Sequence, residues 1–437
     1  MKFSPNKHSL LHLIGAFSVM ALTACGGSSS DTKEVKKPHD STTINTLGRL
    51  SISELNTATV RMHDLDSPNF DSTSFTLENV PSALYTSPGG RYVIAPQRNN
   101  NQVQFIDGGI WQEDHGDHLH DYKNTARSLT WKLLGSSPTH YNLQAGKQAV
   151  FFMDGNSTTT PIQNAGARLL TDTSIAAGNT PASMDLSAPI HGFGAPFDNK
   201  LLAVHRASDA PDSLPTHLRL YQRSGDKYTE DRLLSTRCNK MHGAANSGIF
   251  TAAGCDDGVL LAKHNGATTV VDSKVITPIR IGTLSSHPKL VGHFIAIGSD
   301  GAAPAPVTTR FYSIDAELGS SSEIKLKDWN TGSLRRAHEF DRTGTRLFVL
   351  DQLGNLISVQ RQGNAWVHLN VQAAAIPKMP SAAPWPSMIS NGATDEIYIT
   401  DREARQIVVV NSKTGQVSAR RNLNYVPSTL TWTGISR

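Results

Sequence analysis

A segment of about 49 residues recurs along this chain, and no other feature limits the fold as strongly, because a fixed period of that length specifies repeated supersecondary units. Each copy carries a short stretch with His or Pro, then a turn, then an apolar strand that often ends near Asp-Gly or a similar pair. The copies begin at Pro81 (PSALYTSPGGRYVIAPQRNNNQVQFID), Pro138 (PTHYNLQAGKQAVFFMDG), Pro189 (PIHGFGAPFDNKLLAVHR), Lys240 (KMHGAANSGIFTAAGCDDGVLLAK), His287 (HPKLVGHFIAIGSDG), Arg336 (RAHEFDRTGTRLFVLDQLGNLISV) and Pro384 (PWPSMISNGATDEIYITDREARQIVVV). An eighth is split between the ends. VPSTLTWTG from Val426 echoes VPSALYTSPGG from Val80, and GRLSISELNTATVRMHDLD from Gly48 resembles EIYITDREARQIVVVNSKT from Glu396. A C-terminal strand that completes an N-terminal sheet closes a ring and removes two open edges.

The strands read as short, β-branched and alternating, as in Leu347–Leu350 and Ile397–Thr400, and Gly, Asn and Asp turns bound them. Charged residues make up only 18% of the chain, with 34 Gly and 22 Pro, which excludes a coiled coil, a collagen-like chain and a mostly disordered protein. The expectation is an all-β protein, a β-propeller of eight four-stranded blades over residues 46–437, closed by the C-terminal strand; seven blades or two β-sandwiches are the alternatives. Lys plus Arg number 41 against 37 Asp plus Glu, so no basic excess calls for nucleic acid.

Residues 1–24 read as a signal peptide: Lys2 and Lys7 precede an apolar run from Leu10 to Leu22 that is too short for a mature transmembrane helix. The run ends in Leu22-Thr23-Ala24-Cys25, which resembles a bacterial lipobox, so the mature chain is expected to start at a lipidated Cys25. Residues 25–45 then form a flexible tether rich in Gly, Ser and Thr. Gly26 rather than Asp after the cysteine favours the outer membrane by resemblance to sorting rules. Cys238 and Cys255 remain, in a compartment where disulfides persist. In a hairpin centred between Asn246 and Ser247 they would face each other, so a disulfide is expected, with a thiolate metal pair as the rival.

Chemistry concentrates in WQEDHGDHLHDY, residues 111–122. Between Glu113 and Asp121 it offers three imidazoles and four carboxylates, with Gly116 free to fold the backbone around an ion. His118 and His120 share one side of an extended strand, and Gly116 brings His115 and Asp117 round to them. Imidazole nitrogen and carboxylate oxygen suit Zn²⁺, and also Cu(II) or Ni(II). A second set comes from the repeat itself. His140, His191, His242 and His338 occupy matching places near the start of the innermost strands, where side chains converge on the axis as a secondary metal site or a polar plug.

WQEDHGDHLHDY, followed by PTH, HG, MHGAANSGIFTAAGCDDGVLL and HEFD, resembles the AztD-type periplasmic zinc metallochaperones, most specifically at residues 111–122 and 238–261. That resemblance implies a β-propeller that binds zinc through His115, His118 and His120, with Asp117 nearby, and hands it to the solute-binding protein of a zinc ABC transporter. A membrane contact is expected through the lipid anchor only, in the periplasm, and a non-enzymatic role. Propellers also host hydrolases, so a metal-dependent lactonase or phosphoesterase using the channel histidines is one alternative, and a protein-interaction scaffold is another. The chain has no G-x-S-x-G elbow, no P-loop and no H-E-x-x-H, and Asp256-Asp257 reads as a turn.

Overall fold

The computed structural model describes residues 41–266, 269–302 and 304–437. The expected signal peptide, Cys25 and the tether up to residue 40 lie outside the described residues. No helix among the described residues is long and apolar enough to cross a membrane.

The chain forms successive antiparallel four-strand meanders. Six are separate sheets, and two, Pro138–Asp185 and Gly194–Leu233, are joined into one eight-stranded sheet by a single parallel bridge between Ser183 and Lys227. In each meander but the one that the C-terminal strand completes, the first strand lies innermost, and the innermost strands of neighbouring meanders approach one another around the axis. Adjacent meanders share their apolar cores. Tyr92, Ile94 and Phe105 pack with Phe151 and Met153 of the next blade, and Phe348 and Leu350 pack with Ile397 and Ile399 of the one after theirs. This packing corrects the expected alternation. Second strands such as Tyr92–Gln97 and Gln148–Met153 are buried throughout because both faces meet another sheet. Alternation is kept on outer strands such as Gln416–Asn422.

The ring closes as the split repeat implies. Pro427–Thr433 pairs antiparallel with Arg49–Glu54, opposing Leu50 to Trp432 and Ile52 to Leu430, with a bulge at Ser53. It supplies the innermost strand to a sheet whose other strands come from the N-terminal side. Leu50, Ile52 and Leu430 then pack against Tyr398, Ile407 and Val409 of the last blade. Gly48, at φ +86°, sits under the Trp432 indole, where a Cβ would lie 2.5 Å from Nε1. Only glycine fits there.

Cys238 and Cys255 are joined, with their Cα atoms 4.9 Å apart, but the register reasoning behind that expectation was displaced. The hairpin His242–Ser247/Phe250–Cys255 pairs Asn246 with Thr251 and turns at Gly248-Ile249. Cys238 lies before the ladder, where its N–H donates to Thr216 O at 2.8 Å, so the disulfide pins the inter-blade connection to the fifth blade. Both cysteines are fully buried. Replacing both by Ala is expected to cost about 2–4 kcal/mol, given the loop length that the bridge closes. Chemical denaturation of wild type with and without reductant measures this; reductant should lower the wild-type midpoint to that of the double variant and leave the variant unchanged.

Candidate metal centres

The histidine-rich segment is a β-hairpin inserted between the third and fourth strands of the second blade. Ile110–Asp114 pairs with Leu119–Lys123, setting Glu113 opposite His120. Its tip is closed by His115 N–H donating to His118 O at 3.0 Å and by Gly116 N–H donating to Asp114 Oδ1 at 2.7 Å, with Gly116 at φ +90°. The turn gathers the three imidazoles as the spacing implies: ring centroids are 5.1 Å apart for His115 and His118, 4.9 Å for His115 and His120, and 4.6 Å for His118 and His120. Asp117 Oδ1 accepts from His118 Nδ1. His115 Nε2 lies 3.6 Å from Glu113 Oε2.

The base of this hairpin is anchored through Asp121. Its carboxylate accepts from the Ile44 N–H at 2.9 Å, from Gln112 Nε2 at 2.8 Å and from the Arg437 guanidinium. Burial opposes ionisation of Asp121, but these donors outweigh it and hold its pKa below the usual carboxylate value. The last residues of the expected tether are engaged here too. Thr42 N–H donates to Leu119 O at 3.0 Å and Thr42 O accepts from Asp121 N–H at 2.9 Å, so residues 42–44 run along the hairpin.

The second constellation gathers three of its four expected members. His140 lies on the innermost strand of the third blade, His191 just before that of the fourth, and His242 opens that of the fifth. Their ligand atoms all lie within 4.8 Å of one another. Two of the three have an orienting partner: His191 Nδ1 donates to Asp154 Oδ2 at 2.8 Å, and His242 Nδ1 donates to Gly282 O at 2.8 Å. In a neutral ring a donated Nδ1–H leaves Nε2 with its lone pair, the arrangement that a carboxylate or carbonyl behind a ligating histidine produces. Gly243, at φ +72°, permits the second of these contacts, because a Cβ there would lie 2.8 Å from Gly282 O.

Electrostatics keep this set ready for a cation. Burial, then the neighbouring His191 and His242, lower the His140 pKa to about 4, so its imidazole is neutral at physiological pH. Asp154 is buried, which opposes ionisation, yet the hydrogen bond from His191 and the Arg98 guanidinium at 3.0 Å hold its pKa below the usual carboxylate value. Four-coordinate zinc with nitrogens at about 2.0–2.1 Å needs them about 3.4 Å apart, so the three rings would contract slightly around an ion.

His338 is not part of the set. It sits beyond Arg335 on its strand, and Arg335 lines the same surface cleft as His242, so the arginine occupies the matching level. His338 Nδ1 accepts from Arg335 at 3.0 Å, and burial followed by that guanidinium lowers its pKa to about 3. The first strand of the intervening sixth blade, Ile281–Ser285, carries no histidine to continue the set. Sequence reasoning also missed Asp154, which it took as the Asp-Gly end of a repeat strand; its place one strand behind the histidines was the available signal.

Comparisons with known proteins bear on this pair of centres. No family model matches the chain. The zinc chaperone AztD of Citrobacter koseri is 29% identical over 192 residues, which span 44% of this chain and 42% of that relative. The crystal structure of Citrobacter koseri AztD superposes with a TM-score of 0.69 at 21% identity, covering 89% of this chain and 99% of that one. Its apo form gives 0.68 at 20% identity with the same coverage. The dihydro-heme d1 dehydrogenase NirN gives 0.55 at 11% identity, covering 90% and 76%. The chain is thus similar to AztD in sequence over two fifths of its length and in fold over nearly all of the described propeller; at these structural identities the likeness speaks for the fold.

Asp154→Asn is expected to weaken divalent-ion binding by about 10–100-fold by releasing His191 from its orientation. Titration with Zn²⁺ against a chromogenic chelator checks this. The unfolded chain protonates His140 near pH 6.5 and the folded one only near 4, so the ion-free protein loses stability as pH falls across that window. His140→Ala should flatten that part of the stability profile.

Proposed function

We propose that this protein is a zinc metallochaperone of the bacterial periplasm, held to a membrane by lipid on Cys25, that delivers Zn²⁺ to the solute-binding protein of a zinc ABC transporter. The observation that carries this reading is the His140–His191–His242 set, whose ligand atoms converge within 4.8 Å with His191 and His242 oriented from behind. Similarity to a zinc chaperone supports the choice of metal. The lipobox and leader support the compartment.

The two centres suit different steps. The channel set is partly buried and backed by Asp154 and Gly282, which favours retention. The hairpin set is carried on a protruding turn with His115 exposed, so an incoming ligand can replace its imidazoles one at a time. Asp117, His118 and His120 complete the donors there. Transfer by ligand exchange keeps the ion coordinated throughout, whereas release into water would discard the affinity of both proteins. A low-pH environment opposes both centres, because imidazolium cannot ligate.

Mixing the zinc-loaded protein with a purified apo zinc-binding protein of an ABC transporter tests this reading. The transfer rate should rise with acceptor concentration and exceed the rate at which excess chelator strips the ion. A His115→Ala/His118→Ala/His120→Ala variant should lose part of the bound zinc and transfer about tenfold or more slowly, as expected where ligand replacement is stepwise. A rate independent of acceptor and equal to spontaneous dissociation would contradict the proposal, as would a triple variant with unchanged stoichiometry, affinity and transfer.

A further inference from the structure

We propose that the cleft between the third and fourth blades is a binding site for a small organic carboxylate with an apolar body. The junction departs from the rest of the ring. The outer strand of the third blade is only Ser183–Asp185, and it bridges in parallel to Lys227 on the outer strand of the fourth. The segment after it and the face of the fourth blade enclose a cavity of about 670 Å³. That is the size of an ordinary small-molecule site. Leu186, Ala188, Pro189 and Ile190 give it an apolar wall.

Charge and hydrogen bonding select the ligand's polar end. Both acids of the cleft are already neutralised, Asp185 by Arg168 at 2.7 Å and Glu230 by Arg219 at 2.6 Å. Arg206 and Lys227 line the same cleft, and no carboxylate among the described residues pairs with either, so the site carries an excess of positive charge. Burial lowers the pKa of His205 there, which leaves that ring neutral and the excess on the two cations. Among the described residues, two groups of the lining are also buried without a partner: Arg219 Nε–H and the Tyr228 hydroxyl, the latter on a side chain only 7% exposed. Both are donors. A buried donor without an acceptor is costly, and a carboxylate, whose oxygens only accept, satisfies donors and excess charge together. A primary amide offers one acceptor and no charge. None of these residues belongs to the histidine centres, so binding is expected with or without zinc.

Isothermal titration of the whole mature chain with sodium phenylacetate and sodium hexanoate tests the proposal, each paired with its neutral amide. At least one carboxylate should bind saturably with one site, weaken as salt is raised, and outbind its amide. Tyr228→Phe removes an unsatisfied hydroxyl and so should fold at least as well as wild type; it should weaken binding about tenfold, and Arg219→Gln should do the same, as loss of a charge-assisted contact predicts. Absence of saturable binding by either carboxylate up to about 10 mM, where even weak sites fill, overturns the proposal. So does equal binding of the amides, or binding unchanged in both variants.

Discussion

Everything in this molecule hangs on the antiparallel pairing of Arg49–Glu54 with Pro427–Thr433. Each blade buries its faces only against its two neighbours, so an open ring would expose two apolar sheet faces as well as two unpaired edges. The closing strand covers both at once: it joins the first sheet, and its Leu430 enters the core that Leu50 and Ile52 share with the last blade. Closure also fixes the distance of every innermost strand from the axis. Histidines from three separate blades can meet within 4.8 Å only because that distance is set. The same end of the chain reaches the hairpin through Arg437 and Asp121, so the hairpin that carries His115, His118 and His120 is braced by the residues that complete the ring.

The two histidine clusters show how one scaffold provides different settings for a set of donor side chains. On the axis, side chains are delivered by rigid strands and oriented by groups behind them, an acid for His191 and a carbonyl for His242. On the hairpin, the donors share one short turn whose geometry depends on Gly116 and on contacts between neighbours in sequence. Preorganisation favours holding an ion, and exposure of a ligand favours giving it up. The proposed carrier role calls for both, and the chain places them on different elements.

Much of the fold was legible because it is written as repetition. The period, the echo between Val80 and Val426, and the Gly, Asn and Asp turns lead to a closed ring of four-stranded sheets without any single strong motif. The hairpin histidines were legible for a related reason, since ligands close in sequence need only one turn to meet. Contacts across blades were not. The carboxylate behind His191 comes from a different blade, and its Asp-Gly context resembles every other strand end. His338 matched its counterparts in the repeat but fell at another level, because alignment of repeats to within a few residues does not fix height along an axis. The disulfide shows the same limit in reverse: the partners were right, but the turn lay two residues later and Cys238 reached Cys255 from outside the ladder. The cleft between the third and fourth blades left no sequence signal, because it arises from one short strand crossing to its neighbour's sheet.

The most direct test is a crystal of the zinc-loaded protein measured on both sides of the zinc absorption edge. The account predicts an anomalous-difference peak bounded by the Nε2 atoms of His191 and His242 and by a ring nitrogen of His140, with Asp154 still bonded to His191. A fully loaded crystal with no peak at these three residues would contradict it.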